Sequence, residues 1–388
     1  MVSRRPVAGL PPGAGPANTR RVSAISRDQT GESVRDIQHR LLGRGLRIDP
    51  EELEGRFGPS TEAAVRAFQQ ARGLPSDGIV GPDTWGQLVE AGYRLGDRVL
   101  YLRSPAFRGD DVLELQRRLS ALGFDVGKED GIFGGQTHVA VAEFQRNVGE
   151  RADGIVGPGT VDALERLRPT VEGPSRAVVR EAEDVRRMER SLLGSRIAID
   201  PGHGQGDPGD VGAGGLVEAH ATVLLAADLA GELAARGAIP SILRRENQNP
   251  SPSQRARAAN ALGAVLFVSL HLNAGDPGAE GATCFYFGTD ATYSPAGQRL
   301  AELIQEELTS RLGLKDGRTH RLAVAILRET RMPAVQVEPC FLTNPDEERL
   351  LADPIERRRL AGAIAGGIER YFGAPDEETV TSAVSRRP

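Results

Sequence analysis

The sequence predicts a multidomain chain: two small all-α modules of three helices each, followed by an α/β domain. Three observations predict it. A segment of the N-terminal half recurs as a diverged second copy. Beyond residue 195 the texture changes to short apolar runs alternating with helical stretches. With 388 residues, the chain also exceeds what one small core can organise.

The duplication is legible residue by residue. GESVRDIQHRLL recurs as GDDVLELQRRLS, and RFGPSTEAAVRAFQQ…DGIVGPDT recurs as IFGGQTHVAVAEFQR…DGIVGPGT. Gln38 aligns with Gln116 at an offset of 78, which falls to 76 at Phe68 and Phe144 through a deletion in the intervening loop. Val34, Ile37, Leu41 and Leu42 recur at helical spacing, as do Val112, Leu115, Leu119 and Leu122. A second helix carries Ala64, Val65 and Phe68 inward, matched by Ala140, Val141 and Phe144. Thr61 and Thr137 lie near its start, where a hydroxyl caps free N–H groups. A third helix opens at Pro82 and Pro158, a first position where the missing N–H costs nothing.

The pattern Q-x-x-L…T-x-x-A-V-x-x-F-Q…DGIVGPxT resembles the peptidoglycan-binding domain 1 family in both copies. The resemblance implies two three-helix modules at 31–92 and 109–168 that bind glycan strands or stem peptides. The competing reading is a pair of helical spacers, since fold alone does not carry function.

In the C-terminal part, SRIAIDPG, AIPSILRR, GAVLFVSLH and PAVQVEPCF read as strands. Helices are expected from Glu218 to Arg236, from Pro295 to Leu312 behind a Ser294 cap, and from Pro354 to Phe372 between Asp353 and Gly373. This order predicts a sheet with helices on both faces. His203, His271 and Glu338 each follow or end a strand, where sites of open α/β sheets gather. Glu218 opens a helix after the glycine-rich loop GHGQGDPGDVGAGG, which can return it towards His203.

Two histidines and a glutamate form an established ligand set for catalytic zinc, which leaves a position for water. A further carboxylate outside that set, here Glu338, suits proton transfer. Asp200 and Asn273 flank the set as candidates for orienting an imidazole. A single loop histidine after a strand is more often a surface residue; the set carries the metal reading. His220, two helix positions from Glu218, projects about 200° away and is set aside. His39, His138 and His320 receive no role, and Arg255 is expected to support the fold.

DPGHG, Gly215–Glu218, SLHLNA and MPAVQVE…F-L-T-N resemble the N-acetylmuramoyl-L-alanine amidase 3 family from about Arg196 to Phe372. That resemblance implies an α/β zinc amidase domain with Zn²⁺ held by His203, Glu218 and His271, and with Glu338 catalytic. It implies hydrolysis of the amide joining N-acetylmuramic acid to L-alanine, with peptidoglycan or a muropeptide as partner. One departure is visible, since Cys340 stands where the family usually has a small glycine.

The expected plan is a disordered tail over 1–30, a linker over 169–194 with one helical stretch, the amidase domain over 195–373 and a disordered tail over 374–388. A net charge of −5 argues against a nucleic-acid partner that depends on phosphate neutralisation. Cys284 and Cys340 are too few for a disulfide scaffold, and whether they pair is open. No apolar run is long enough for a membrane span, and residues 1–30 hold no export signal, so the expected location is cytoplasmic. Residence in the cell wall through non-standard export is the alternative. The overall order, with YRLGDRVLYLRSPAFRGDDV, resembles the actinobacterial CwlM-type group, which implies a regulatory alternative acting on a cytoplasmic precursor-synthesis enzyme. In that reading Thr379 and Thr381 in the acidic tail are kinase targets. A frayed terminus is the plain alternative.

Overall fold

The computed structural model describes residues 24–167, 181, 191–288 and 292–373. The expected linker helix, Thr379 and Thr381 lie outside the described residues.

The first module comprises α1 (Glu32–Leu42), α2 (Pro59–Arg72) and α3 (Pro82–Glu90), and the second α4 (Asp110–Ala121), α5 (Gly135–Asn147) and α6 (Pro158–Arg166). Each closes over its own core, around Ile37, Phe57 and Val65 in one and Leu115, Phe133 and Phe144 in the other. The modules begin earlier than the repeat pattern marks. Ile25 pairs with Val80, and Leu100 with Val156, so the segment before each first helix is stitched to the DGIVGP turn. Residues 24–30 therefore belong to the first module rather than to a tail.

The two threonines are not caps. The cap positions of α2 and α5 are Gly58 and Gly134, without side-chain bonds, and Thr61 and Thr137 are buried one turn inside. Glu52 serves α2 instead, accepting from the Ser60 and Thr61 N–H groups at 3.0 and 2.8 Å. Burial opposes its ionisation, but hydrogen bonds from Thr61 and Ser60 hold its carboxyl down at about 2. Thr61 Oγ1 meanwhile accepts from Gln38 Nε2 at 2.9 Å, and Thr137 Oγ1 from Gln116 Nε2 at 3.1 Å.

The repeated motif is thus largely a folding device. Gln69 Nε2 donates to Asp77, the Ile79 carbonyl and Thr84, and its Oε1 accepts from the Gly78 N–H. Gln145 does the same with Asp153, Ile155, Thr160 and Gly154. One buried amide fixes each turn with both of its polar atoms satisfied.

The C-terminal domain runs β1 (Arg196–Pro201), α7 (Glu218–Ala235), β2 (Ile239–Ile242), α8 (Pro252–Ala261), β3 (Leu266–Leu270) and β4 (Ala282–Phe287). It continues with α9 (Pro295–Leu312), β5 (Asp316–Leu322), α10 (Ala325–Arg328), β6 (Ala334–Glu338), α11 (Pro345–Ala352) and α12 (Pro354–Gly373). The strand order is β2-β1-β3-β6-β4-β5, parallel except where β4 runs antiparallel to β6. Two strands were not read from the sequence. Strand β5 is an edge strand with a polar pattern, DGRTHRL, and β4 lacks the alternation that marks a half-exposed strand.

Alternating residues of each central strand enter different cores. Ile197, Ile199, Val268 and Val335 pack under α7, α9 and α12, whereas Ala198, Phe267 and Ala334 pack under α8 and α10. Ser294 caps α9 by accepting from the Gly297 N–H at 2.9 Å. Both cysteines are free and buried. Among the described residues, no helix is long and apolar enough to cross a membrane.

Gln145→Ala removes four bonds at once and strands buried partners. The second module should lose about 1–3 kcal/mol, read as a lower denaturation midpoint by circular dichroism. An unchanged midpoint would show that the amide network is dispensable.

Candidate active site

The central strands β1, β3 and β6 are neighbours and run parallel, so their carboxyl ends meet at one edge of the sheet. His203 stands two residues beyond β1, His271 immediately after β3, and Glu338 ends β6. Glu218, at the first position of α7, completes the group. His203, Glu218 and His271 offer ligand atoms that all lie within 4.8 Å of one another.

The turn that carries His203 is held under constraint. His203 has a φ of 60°, a left-handed conformation that a non-glycine residue keeps only when its surroundings enforce it. Two buried arginines do so. Arg244 donates to the Pro201, Gly202 and Ala219 carbonyls, and Arg255 to the Pro201 and His203 carbonyls. Burial and the neighbouring Arg255 bring Arg244 down to about 10. Glycine is required at two places. A Cβ at Gly202 would lie 2.5 Å from the His271 ring, and one at Gly209 would lie 2.4 Å from Glu218 Oε2. The rest of the glycine-rich loop is pinned by Glu348 of α11, which accepts from the Gly214 and Leu216 N–H groups at 2.6 and 2.9 Å.

Glu218 is 1% exposed. Its Oε2 lies 3.1 Å from His203 Nε2 and its Oε1 3.2 Å from His271 Nδ1. It also accepts from the Asp210 and Leu272 N–H groups at 3.1 and 2.9 Å. Burial opposes its charge, yet the two imidazoles hold the carboxyl well below the usual carboxylate range. Burial likewise opposes a charged His203, but Asp207 and Glu218 outweigh it and push the imidazole up to about 10. The pocket therefore stabilises a positive charge between these side chains. Two donors at about 2.0–2.1 Å from a tetrahedral ion stand about 3.3 Å apart, close to the two Glu218–imidazole separations. The donor set could hold a divalent cation such as zinc.

Glu338 Oε1 accepts from Gln336 Nε2 at 2.7 Å. Burial raises its carboxyl above the ordinary value, opposed by the charge of His271 and the Gln336 bond. Asp200 meets no imidazole. It accepts from Arg255 at 3.2 Å and Ser269 at 2.9 Å, so it bears on His203 only through the Arg255 clamp. Asn273 donates at 3.4 Å to the Glu338 carbonyl and to Thr283, again away from the rings. His220 points off the site to Glu246 at 2.8 Å.

The carboxylate against an imidazole is Asp207, whose Oδ1 stands 3.1 Å from His203 Nδ1. The sequence reading missed it, although its place four residues after His203 was a usable signal. Gln336 was missed too. Its place two residues before Glu338 puts both on one face of the strand.

A cluster of this kind around a buried Glu218, at the carboxyl ends of parallel strands with a further carboxylate beside it, defines an α/β domain whose site could hold a divalent cation. The chain belongs to the N-acetylmuramoyl-L-alanine amidase family, which residues 197–370 match, and residues 30–88 and 108–164 each match the peptidoglycan binding domain family. It is 43% identical over 365 residues to the N-acetylmuramoyl-L-alanine amidase CwlM of Mycobacterium tuberculosis, spanning 90% of each chain. It is 33% identical over 187 residues to the amidase LytC of Bacillus subtilis, over 48% of this chain and 37% of that one. The solved structure of amidase AmiC2 of Nostoc punctiforme aligns with 47% of this chain and 99% of its own, at 28% identity and a TM-score of 0.43.

Two outcomes follow for the isolated protein. The pKa of His203 is raised from 6.5 to about 10, so without metal the ring stays protonated at neutral pH and loses its proton only near pH 10. Zinc uptake at pH 7–8 should therefore release about one proton, and affinity should weaken as pH falls. Calorimetry in buffers of different ionisation enthalpy measures this, and no release would contradict it. Asp207→Asn should weaken zinc binding about 10–100-fold in a chelator competition.

Proposed function

We propose that this chain is a zinc-dependent N-acetylmuramoyl-L-alanine amidase, acting on the amide between the lactyl group of N-acetylmuramic acid and L-alanine. The observation that carries this is the His203–Glu218–His271 cluster around a buried Glu218, within the segment that matches the amidase family. Peptidoglycan or a fragment of it is the substrate to which the amidase and the peptidoglycan-binding modules both point.

His203, Glu218 and His271 would hold the ion, with Asp207 fixing the ring of His203. Bound zinc lowers the pKa of a water molecule and polarises the scissile carbonyl. Glu338 takes the proton from the attacking water and delivers it to the leaving amine as the C–N bond breaks and the C–O bond forms. Its burial favours the proton-holding state, while the Gln336 bond supports the carboxylate, so both forms are within reach of one site. Gln336 also fixes the direction in which the carboxylate faces.

Glu338→Ala should lower kcat on a soluble muropeptide by about 10²–10⁴-fold, with zinc content unchanged by elemental analysis. Equal turnover in both proteins, or purified wild type that takes up no zinc, would falsify the assignment.

A further inference from the structure

The cleft in front of the zinc cluster has two walls from different domains. Its volume is about 480 Å³. His203 and His271 line one side, and Ala63, Arg66, Ala67 and Gln70 of α2 line the other. These four positions are spaced i, i+3, i+4 and i+7, so a single face of a helix in the first module looks at the metal site.

The docking is built rather than incidental. Arg66 Nη1 stands 3.7 Å from Asp207, the carboxylate beside His203. Glu62 holds the same guanidinium from behind at 3.0 Å. Arg328 is half-buried and donates to the Ala71 carbonyl at 3.1 Å, at the end of the same helix. No side chain would fit at Gly73, where a Cβ would lie 2.1 Å from Ser253 Oγ. The second module joins through Arg108, 2.9 Å from Glu329, and through Lys128, which donates to the Thr330 carbonyl. Loosely tethered wall-binding modules would show none of these contacts.

We propose that the first module is a wall of the amidase cleft, and that the ligand held there is a free, un-cross-linked muropeptide rather than a strand of the wall network. This deepens the amidase reading and rests on it for the identity of the ligand. The cleft volume falls within the roughly 300–1,000 Å³ of sites that engulf small molecules. A network strand, with stem peptides and cross-links projecting along it, needs an open face that the docked module occupies. The short side chains of Ala63 and Ala67 leave the space, and both are exposed to the cleft.

The test exploits the repeat. Ala63→Trp fills the cleft from the first module, whereas Val139→Trp adds the same bulk at the corresponding exposed position of the second, which lines no part of it. Affinity for a soluble N-acetylmuramoyl-peptide is measured by calorimetry on full chains that also carry Glu338→Gln. Turnover of the same peptide and of insoluble sacculi is measured without that change. Ala63→Trp should weaken binding and lower kcat/KM at least tenfold with zinc content intact. Val139→Trp should stay within twofold, and wild type should favour the soluble peptide at least tenfold over sacculi. Ala67→Trp, one turn along, repeats the contrast if Ala63→Trp does not fold. Equal binding by the two tryptophan variants, or sacculi digested as readily as the free peptide, overturns the proposal. A wild type that cleaves neither substrate, with the binding contrast intact, refutes the catalytic reading and leaves the composite cleft standing.

Discussion

Glu218 is a carboxylate with almost no exposure to water, and an unpaired charge in that position would not be tolerated. Four groups compensate for its burial: two imidazoles and two backbone N–H groups. They come from the loop after β1, the loop before α7 and the segment after β3. The packing of those segments is therefore conditional on the carboxylate. A buried ion pair is a poor source of net stability. Its value here is positional, since it brings together the three side chains that fit a cation.

The surroundings extend the same logic outward. Arg244 and Arg255 occupy the carbonyls of the strained turn, Glu348 occupies the amides of the glycine-rich loop, and Glu347 of α11 accepts from the Gly281 and Phe341 N–H groups. Buried charges thus hold irregular backbone at the rim of the sheet, where strand pairing cannot. Asp207 belongs to both the candidate metal site and the domain contact, through His203 on one side and Arg66 on the other. That shared carboxylate is how the docking of a helical module reaches the chemistry.

Much of this was legible in the sequence. Helix and strand periodicities report burial, and burial is local enough to be read over ten or fifteen residues. The duplication announced two equivalent modules, and His203, His271 and Glu338 announced themselves by following apolar runs. The misreadings share a cause. Thr61 and Thr137 sit where a cap would, but their hydroxyls accept from Gln38 and Gln116, more than twenty residues away, and Thr61 donates to Glu52 of the preceding segment. Asp200 opens the DPGHG turn, yet its oxygens face Arg255 and Ser269. Spacing along the chain marks Asp207 as a candidate, but only the folded turn decides which of the two nearby carboxylates faces the ring.

By itself, the sequence determined the order of domains, the identity of the ligand candidates and the type of chemistry, because those depend on residue type and local pattern. Only the tertiary structure decided that β1, β3 and β6 are adjacent and that Asp207 rather than Asp200 faces His203. It also decided that α2 of the first module stands across the cleft from His203 and His271. These are contacts between segments far apart in the chain, set by strand order and by interdomain charges such as Arg66, Arg108 and Arg328. No local periodicity records them, since the helix face that lines the cleft carries the same small and polar residues as a face turned to water.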